Sequence, residues 1–341
     1  MTNRKRAEPR KSTPAKDPAE ADEPTPEEPA TVVIFAPAPV LTVTVEDLSG
    51  EPDIHVHPGG QGVWQSRMVS SLGVPTVLCA ALGGETGSVL GHLLPTTDVT
   101  VRSVSVSSRN GAYVHDRRTG EREIIAESPG SPLDRHELDS LYELTLTEGL
   151  THGWVLLSGP QDDRVVPAEL YRRLATDLGA NGCRVVADLC GERLEAVLAG
   201  KPSLIKVSHE ELLADGRAKS EDAKDLVAAM RTIRDEGARS VVVSRAGAEP
   251  ALAMIDADSD GERDAVVEVV TPTLEPADPT GAGDSMTAGM VAALACGQPI
   301  RYALQVGAAC GALNVVRHGL GTGGAKAVAA IAQRVELRPW K

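Results

Sequence analysis

The sequence predicts an α/β protein: a doubly wound, mainly parallel sheet flanked by helices, with a small antiparallel β lid. Short, continuously apolar runs alternate with helical stretches, the pattern of parallel strands covered on both faces. Two other stretches, 42–57 and 99–127, instead alternate polar and apolar residues with little helix between them, as strands of a half-exposed sheet do. Hydrophobic residues make up 42% of the 341-residue chain but aromatics only 2%, so the core has to be built from Val, Leu, Ile and Ala.

Residues 1–30 stand apart. They run from basic to acidic, are rich in proline and hold almost no large apolar side chain, which predicts a disordered tail ahead of one domain over 31–341. From "TVVIFA" onward the strands read as "VPTVLCAAL", "GWVLLSG", "CRVVADL", "PSLIKV" and "RSVVVSRAG". Between them, "VPAELYRRLATDLG" and "SEDAKDLVAAMRTIRDEG" read as helices, with Gly73, Gly179 and Gly237 as helix ends. The lid takes "TVTVEDL", "DIHVH", "VTVRSVSV", "GAYVHD" and "EREIIAE".

Bulk properties exclude several classes. A formal net charge of −14 argues against a nucleic-acid partner. Five cysteines without a CxxC pair point to free thiols and a cytoplasmic protein rather than to a disulfide framework or a zinc site. No apolar run reaches the roughly 18–20 residues of a membrane span, so no membrane partner is expected.

The densest chemical signal is "DPTGAGDSMTAG", 278–289. Its turn aims the N–H groups of Gly281, Ala282 and Gly283 at one point, at the positive end of a helix. Such a point suits a phosphoryl group in transfer, and Asp284 beside it could take a proton from an attacking hydroxyl. An aspartate at a helix start also caps N–H groups, and that reading stands beside the first. A second glycine stretch, "HPGGQGVWQSRM" (57–68), opens another helix. Gln65 occupies the third-glycine position of a dinucleotide fingerprint and no GK[ST] follows, so neither phosphate loop is present.

These segments resemble the ribokinase-like, phosphofructokinase-B family of carbohydrate kinases, nearest its hexose and 1-phosphofructokinase-type branch. "DPTGAGDSMTAG" is similar to the family's C-terminal signature and "PGGQGVWQSRMVSSLG" to its N-terminal glycine loop. "AGKPSLIKVSHEEL" and "VVVSRAGAEPAL" resemble its nucleotide-side segments. The resemblance implies ATP and Mg²⁺, with Asp284 as base and Gly281, Ala282 and Gly283 as anion hole. It further implies Lys206, Ser208, Ser244, Gly247 and Asn314 on the nucleotide side and Glu211 on the metal side. Lys206 closing an apolar strand also reads as a snorkelling lysine, and Glu211 as a helix-surface carboxylate.

On the acceptor side it implies Thr42, Gly59, Gly60, Gln61, Trp64 and Arg109. Here the chain departs from the family: Gln61 replaces the usual lysine, Trp64 the usual asparagine, and Ala38 and Thr42 stand where asparagine and aspartate are expected. Ser208 replaces an asparagine as well. Trp64 reads either as a stacking face or as packing, and Arg109 either as an anion partner from the lid or as a solvated arginine. His55 and His57 share a strand face without a third metal ligand in view, and Cys190 reads as cleft lining. The expectation is an ATP-dependent kinase acting on a hydroxyl of a small sugar or sugar phosphate. Alternatives are a nucleoside kinase of the same family and a non-catalytic nucleotide- or sugar-binding regulator. Unpaired lid edges invite a second copy, so a homodimer through the lid is expected.

Overall fold

The structure is a computed structural model and describes residues 29–95, 98–120, 122–245, 249–256, 265–272, 274, 280–316, 321 and 323–340. Most of the expected tail, residues 1–28, lies outside the described residues, as does Gly247.

The chain begins with β1 (Val32–Phe35), β2 (Val40–Leu48), β3 (Glu51–Gly59), α1 (Gln61–Ser71), β4 (Thr76–Gly83) and α2 (Gly84–Leu93). There follow β5 (Val99–Val106), β6 (Ala112–Asp116), β7 (Glu123–Ser128), α3 (Arg135–His152), β8 (Trp154–Ser158) and α4 (Ala168–Ala180). Next come β9 (Arg184–Asp188), α5 (Gly191–Leu198), β10 (Leu204–Ser208), α6 (His209–Ala214), α7 (Ala223–Asp235) and β11 (Val241–Ser244). The last elements are β12 (Ala251–Met254), β13 (Val266–Val270), α8 (Ala282–Ala295), α9 (Ile300–Val315), α10 (Ala325–Ala332) and β14 (Glu336–Pro339).

The main sheet has the order β14-β13-β12-β11-β10-β9-β8-β1-β4-β5, parallel from β11 to β5 and antiparallel from β12 to β14. Alternate residues of β1 feed opposite faces: Val32 and Ile34 pack with α1, α8 and α9, while Val33 and Phe35 pack with α3, α4, α5 and α7. This two-sided burial is why its strands read as unbroken apolar runs. The chain winds outward from β1 in one direction and from β8 in the other, so the order reverses between them. In such sheets, ligands bind beyond the carboxyl ends of the strands at this reversal. Among the described residues no helix is long and apolar enough to cross a membrane.

Gly73 (φ +83°) and Gly237 (φ +140°) do follow helix ends. Gly179 instead lies within α4, and the turn after that helix falls to Gly182 at φ +79°. Gly179 is needed for a different reason, since a Cβ there would sit 2.4 Å from the Gly200 carbonyl oxygen.

The second sheet, β3-β2-β6-β7, is the lid. Two of its pairings are antiparallel, whereas β2 and β6 run parallel. The expected lid segment 99–127 needs one correction: β5 pairs in parallel with β4 and belongs to the main sheet. Only 112–128 joins the lid from that stretch. Val99 and Val101 of this edge strand pack on one face and Val104 and Val106 on the other, so its apolar residues alternate with Ser, Thr and Arg without forming an unbroken run.

Two buried polar groups fix the passage from β5 into the lid. Asn110 accepts from Gly83 N–H (2.8 Å) and donates to the Pro39 and Ala81 carbonyls (3.0 Å each). Glu137 completes the capping box of α3 with Asp134 and accepts from Ser107 N–H (2.6 Å) and the Ser107 and Ser108 hydroxyls (2.8 Å each). Burial works against the Glu137 charge, but these hydrogen bonds more than offset it and hold the carboxyl at about 2. Its stabilising contribution is therefore complete above the ordinary glutamate range and is lost as pH falls toward 2. Glu137→Gln is expected to cost about 1–3 kcal/mol in urea unfolding at pH 7. The gap between the two proteins should narrow as the titration is repeated below about pH 4.

Candidate active site

On the β8 side of the reversal, the carboxyl ends of β8, β9 and β10 bring Ser158, Asp188 and Lys206 side by side: Ser158 and Lys206 both register with Asp188. Asp188 is 2% exposed and Lys206 5% exposed. Asp188 accepts from Lys206 Nζ (3.2 Å), Thr287 Oγ1 of α8 (2.7 Å) and Gln65 Nε2 of α1 (3.1 Å). Desolvation raises the Asp188 pKa, with Lys206 and Thr287 pulling against it. Burial also opposes the Lys206 charge, but Asp188, Glu211 and Asp284 outweigh it and raise its pKa.

The glycine turn before α8 lies beside this pair. Gly281, in the left-handed region at φ +74°, opens α8, and a Cβ at Gly283 would stand 2.6 Å from Lys206 Nζ. Glycine is thus required for the lysine to reach the turn. Gly283→Ala is expected to displace the ammonium and to lower both turnover and Tm, because Lys206 is buried and paired with Asp188.

Asp284 occupies the first turn of α8. The charged groups acting on it are Asp188, Lys206 and Glu211. Desolvation and then the Asp188 charge push its pKa up to about 7, against Lys206 and Gln61. A carboxylate in the first turn of a helix and poised near neutrality can exchange a proton there.

On the expected nucleotide side, Ser208 and Ser244 sit in register at the ends of β10 and β11. Ser208 caps α6: its Oγ accepts Glu211 N–H (3.1 Å), and Glu211 Oε2 accepts Ser208 N–H (2.6 Å). Asn314 is fully buried and its amide is engaged by the protein. It donates to the Thr280 carbonyl (2.7 Å) and accepts from Ser285 Oγ (3.1 Å) and Gly321 N–H (3.2 Å). Asn314 therefore braces the turn ahead of Gly281.

On the acceptor side, α1 begins at Gly60, whose φ of +105° favours glycine. A Cβ at Gly62 would meet Ala36 at 2.5 Å, so that glycine serves helix–strand packing. A Cβ at Gly59 would lie 2.6 Å from Thr42 Oγ1 and 3.5 Å from Trp64 Cζ2. Trp64 is half-buried; its indole N–H and the Thr42 hydroxyl are buried with no hydrogen-bond partner among the described residues. Two polar atoms thus flank Gly59 with unused hydrogen-bonding capacity. Arg109 is exposed and donates to Ser128 Oγ (2.9 Å), beside a small cleft lined by Val40, Tyr113, Gly130 and Gln161.

His55 and His57 do share the lid face that carries Thr42 and Thr44, with which they register. His55 pairs with Asp53 at 3.0 Å. The Cys190 thiol is pushed up to about 12 by burial, Glu211 and Asp215, which keeps it protonated.

Sequence reasoning missed Asp188, Gln65 and Arg193. The only signal for Asp188 was a carboxylate ending the apolar run "RVVAD" at a parallel strand's carboxyl end. Arg193 of α5, largely buried, grips the loop after β8 through Asp163 Oδ1 (2.5 Å) and the Asp163 and Val166 carbonyls (2.5 and 2.7 Å).

Comparison with known proteins agrees with this arrangement. Residues 38–327 match the pfkB family of carbohydrate kinases. The chain is 29% identical to the ATP-dependent 6-phosphofructokinase isozyme 2 of Escherichia coli K12 over 265 residues, 77% of this chain and 82% of that one. It is 25% identical to the 1-phosphofructokinase of Bacillus subtilis 168 over 266 residues, 78% and 84% of the two chains. Among solved structures, phosphofructokinase-2 from Escherichia coli in complex with fructose-6-phosphate superimposes with a TM-score of 0.72 at 25% identity, covering 89% of this chain and 99% of that one. With the match spanning most of its length, the chain belongs to the pfkB family of carbohydrate kinases and is an ATP-dependent carbohydrate kinase.

Proposed function

We propose that the protein transfers the γ-phosphoryl group of ATP to a hydroxyl of a small sugar or sugar phosphate, with Asp284 as the base. The observation that carries this reading is Asp284 itself. It stands in the first turn of α8 among Asp188, Lys206 and Glu211, and burial and the Asp188 charge push its carboxyl up to about 7. The hydroxyl would enter between Gly59–Gly60 and Asp284, give its proton to that carboxylate and attack in line. The N–H groups of Gly281, Ala282 and Gly283 would take up charge on the transferred group. Relatives named as phosphofructokinases favour a hexose phosphate as acceptor.

The charge balance of the site fits a divalent cation. Asp188, Asp284 and Glu211 face the single cation Lys206, and ATP adds further negative charge. Glu211 Oε2 is fixed by Ser208, while its Oε1 has no hydrogen-bond partner among the described residues. Mg²⁺ is held by one or two carboxylates plus substrate phosphates, and Glu211 would be such a ligand. When bound, the ion would screen the phosphates; Lys206, Ser208 and Ser244 would line their side of the cleft.

The acceptor pocket supports a ligand that satisfies both the Trp64 indole N–H and the Thr42 hydroxyl. The test is ADP formation by the purified protein with Mg·ATP across hexoses, hexose phosphates, pentoses and nucleosides. Stimulation by a hexose or hexose phosphate supports the reading. Selective stimulation by a nucleoside moves the acceptor class, and ATP binding without any stimulated turnover would leave a non-catalytic binding protein.

A homodimer through the lid is part of the same reading. Leu48, Ile54, Val56, Ile124 and Ile125 are all at least 46% exposed on the lid. Val43 and Val45 register with Val56 and Ile54, so β2 and β3 present one continuous apolar face. Ile54→Lys is expected to yield a monomer by light scattering, whereas the unaltered chain runs as a dimer.

A further inference from the structure

We infer that Asn314 is a positioning residue for phosphoryl transfer: its amide holds the Thr280 carbonyl and so aims the Gly281 N–H of the turn before α8. The inference rests on the proposed reaction at that turn and carries it to a fully buried side chain of α9.

Hydrogen-bond chemistry fixes the orientation of this amide. Gly321 N–H can only donate and the Thr280 carbonyl can only accept, so Oδ1 faces the first (3.2 Å) and Nδ2 the second (2.7 Å). Ser285 Oγ gives Oδ1 a further donor at 3.1 Å. Turning the amide over would set N–H against N–H at Gly321 and oxygen against oxygen at Thr280. The supports are close-packed as well. Gly321 is seated on the acceptor helix α1, where a Cβ would stand 2.4 Å from the Trp64 carbonyl oxygen and 2.9 Å from Trp64 Cα. One turn before Asn314, a Cβ at Gly311 would lie 3.0 Å from the Ala282 carbonyl oxygen, so α9 lies tight against the start of α8.

The peptide between Thr280 and Gly281 is trans, so its C=O and N–H point in opposite directions. With the carbonyl turned into the buried amide, the Gly281 N–H is turned away from Asn314. That N–H has no hydrogen-bond partner among the described residues. The other side of Gly281 is already held by α8, whose Ser285 N–H donates to the Gly281 carbonyl at 3.0 Å. The 280–281 peptide is thus left for Asn314 to hold, and a glycine beside it lets it rotate at little steric cost. Rotation would exchange the two groups and leave a carbonyl oxygen where the transferred phosphoryl group needs a donor. The Asn314–Thr280 hydrogen bond opposes that rotation.

The test compares the full chain with Asn314→Leu, which fills the space without a donor, and with Ser285→Ala, which leaves the Thr280 bond in place. Readouts are kcat, the KM values for ATP and for the best acceptor, and Tm. Asn314→Leu is expected to lower kcat by about 10²-fold, the worth of one donor to the transferred group. Both KM values should hold, because that N–H gains its charged partner only in the transition state. Ser285→Ala should melt earlier and keep the kcat of the parent. An Asn314→Leu protein that melts earlier yet turns over at the parent rate would reduce Asn314 to packing and overturn the inference. Equal losses of kcat in the two variants would do the same, since they would report a general loosening. Should the leucine variant fail to fold, a crystal structure of the unaltered enzyme with Mg·ADP, aluminium fluoride and the acceptor decides. The Gly281 N–H is expected on a fluoride; a rotated peptide, with that N–H facing Asn314, would refute the inference. An unaltered chain without acceptor-stimulated turnover would instead remove the proposed function, and this inference with it.

Discussion

Asp284→Asn is expected to lower acceptor-stimulated ADP formation by about 10²–10⁴-fold, the usual worth of a positioned base. Binding of ATP and acceptor should persist, because asparagine keeps the shape of the carboxylate. In the unaltered enzyme, activity should fall as pH drops through about 7, since the protonated carboxyl cannot accept the hydroxyl proton. Stability should respond in the opposite sense. The folded pKa lies above the unfolded value of about 3.9, so between the two the folded state holds a proton that the unfolded state has released. Folding stability therefore declines as pH rises through this interval and levels off above about 7. Asparagine escapes that penalty, so the inactive variant should melt at a higher temperature than the parent at pH 8. Retained turnover with an unchanged pH profile would remove Asp284 from the chemistry.

The sequence carries the sheet and the transfer turn unequally well compared with the rest of the site. β1, β4 and β8 to β11 are legible because both their faces are covered, which forces unbroken apolar runs. β5 is misassigned to the lid because its valines cover one face in its first half and the other in its second, which leaves no unbroken apolar run to mark a strand of the main sheet. Asp284 is legible because glycine spacing, tight turn and helix start are all local. Asp188 is not, since its donors come from Gln65, Lys206 and Thr287, which only the fold assembles. Asn314 is alike in this: its hydrogen bonds to Thr280, Ser285 and Gly321 are brought together only by the fold. Gln61 reads as a departure from a family pattern and Gln65 only as the residue at a dinucleotide fingerprint's third-glycine position, and their hydrogen bonds emerge only with Ser158 and Gly159 beside them.

Lys206→Met is expected to cost about 3–5 kcal/mol in urea unfolding at pH 7, the usual penalty for leaving a buried charge without its partner. Asp188 would keep the Thr287 and Gln65 hydrogen bonds but lose the one cation at 3.2 Å, at a position almost closed to water. The loss should shrink at acid pH: desolvation already raises the Asp188 pKa, and without Lys206 the carboxyl takes up a proton more readily still. Asp188→Asn placed on top of Lys206→Met should recover much of the stability, because the amide needs no counter-charge in the same hydrogen-bonded niche. Activity should not return with it, since the ammonium beside Gly283 is what meets the transferred phosphate in the proposed reaction. Recovery of fold without recovery of turnover would separate the two duties of Lys206, neutralising Asp188 and presenting a cation at the α8 turn. If the single and double variants were equally unstable, the Asp188–Lys206 charge pair would not be what organises this strand edge.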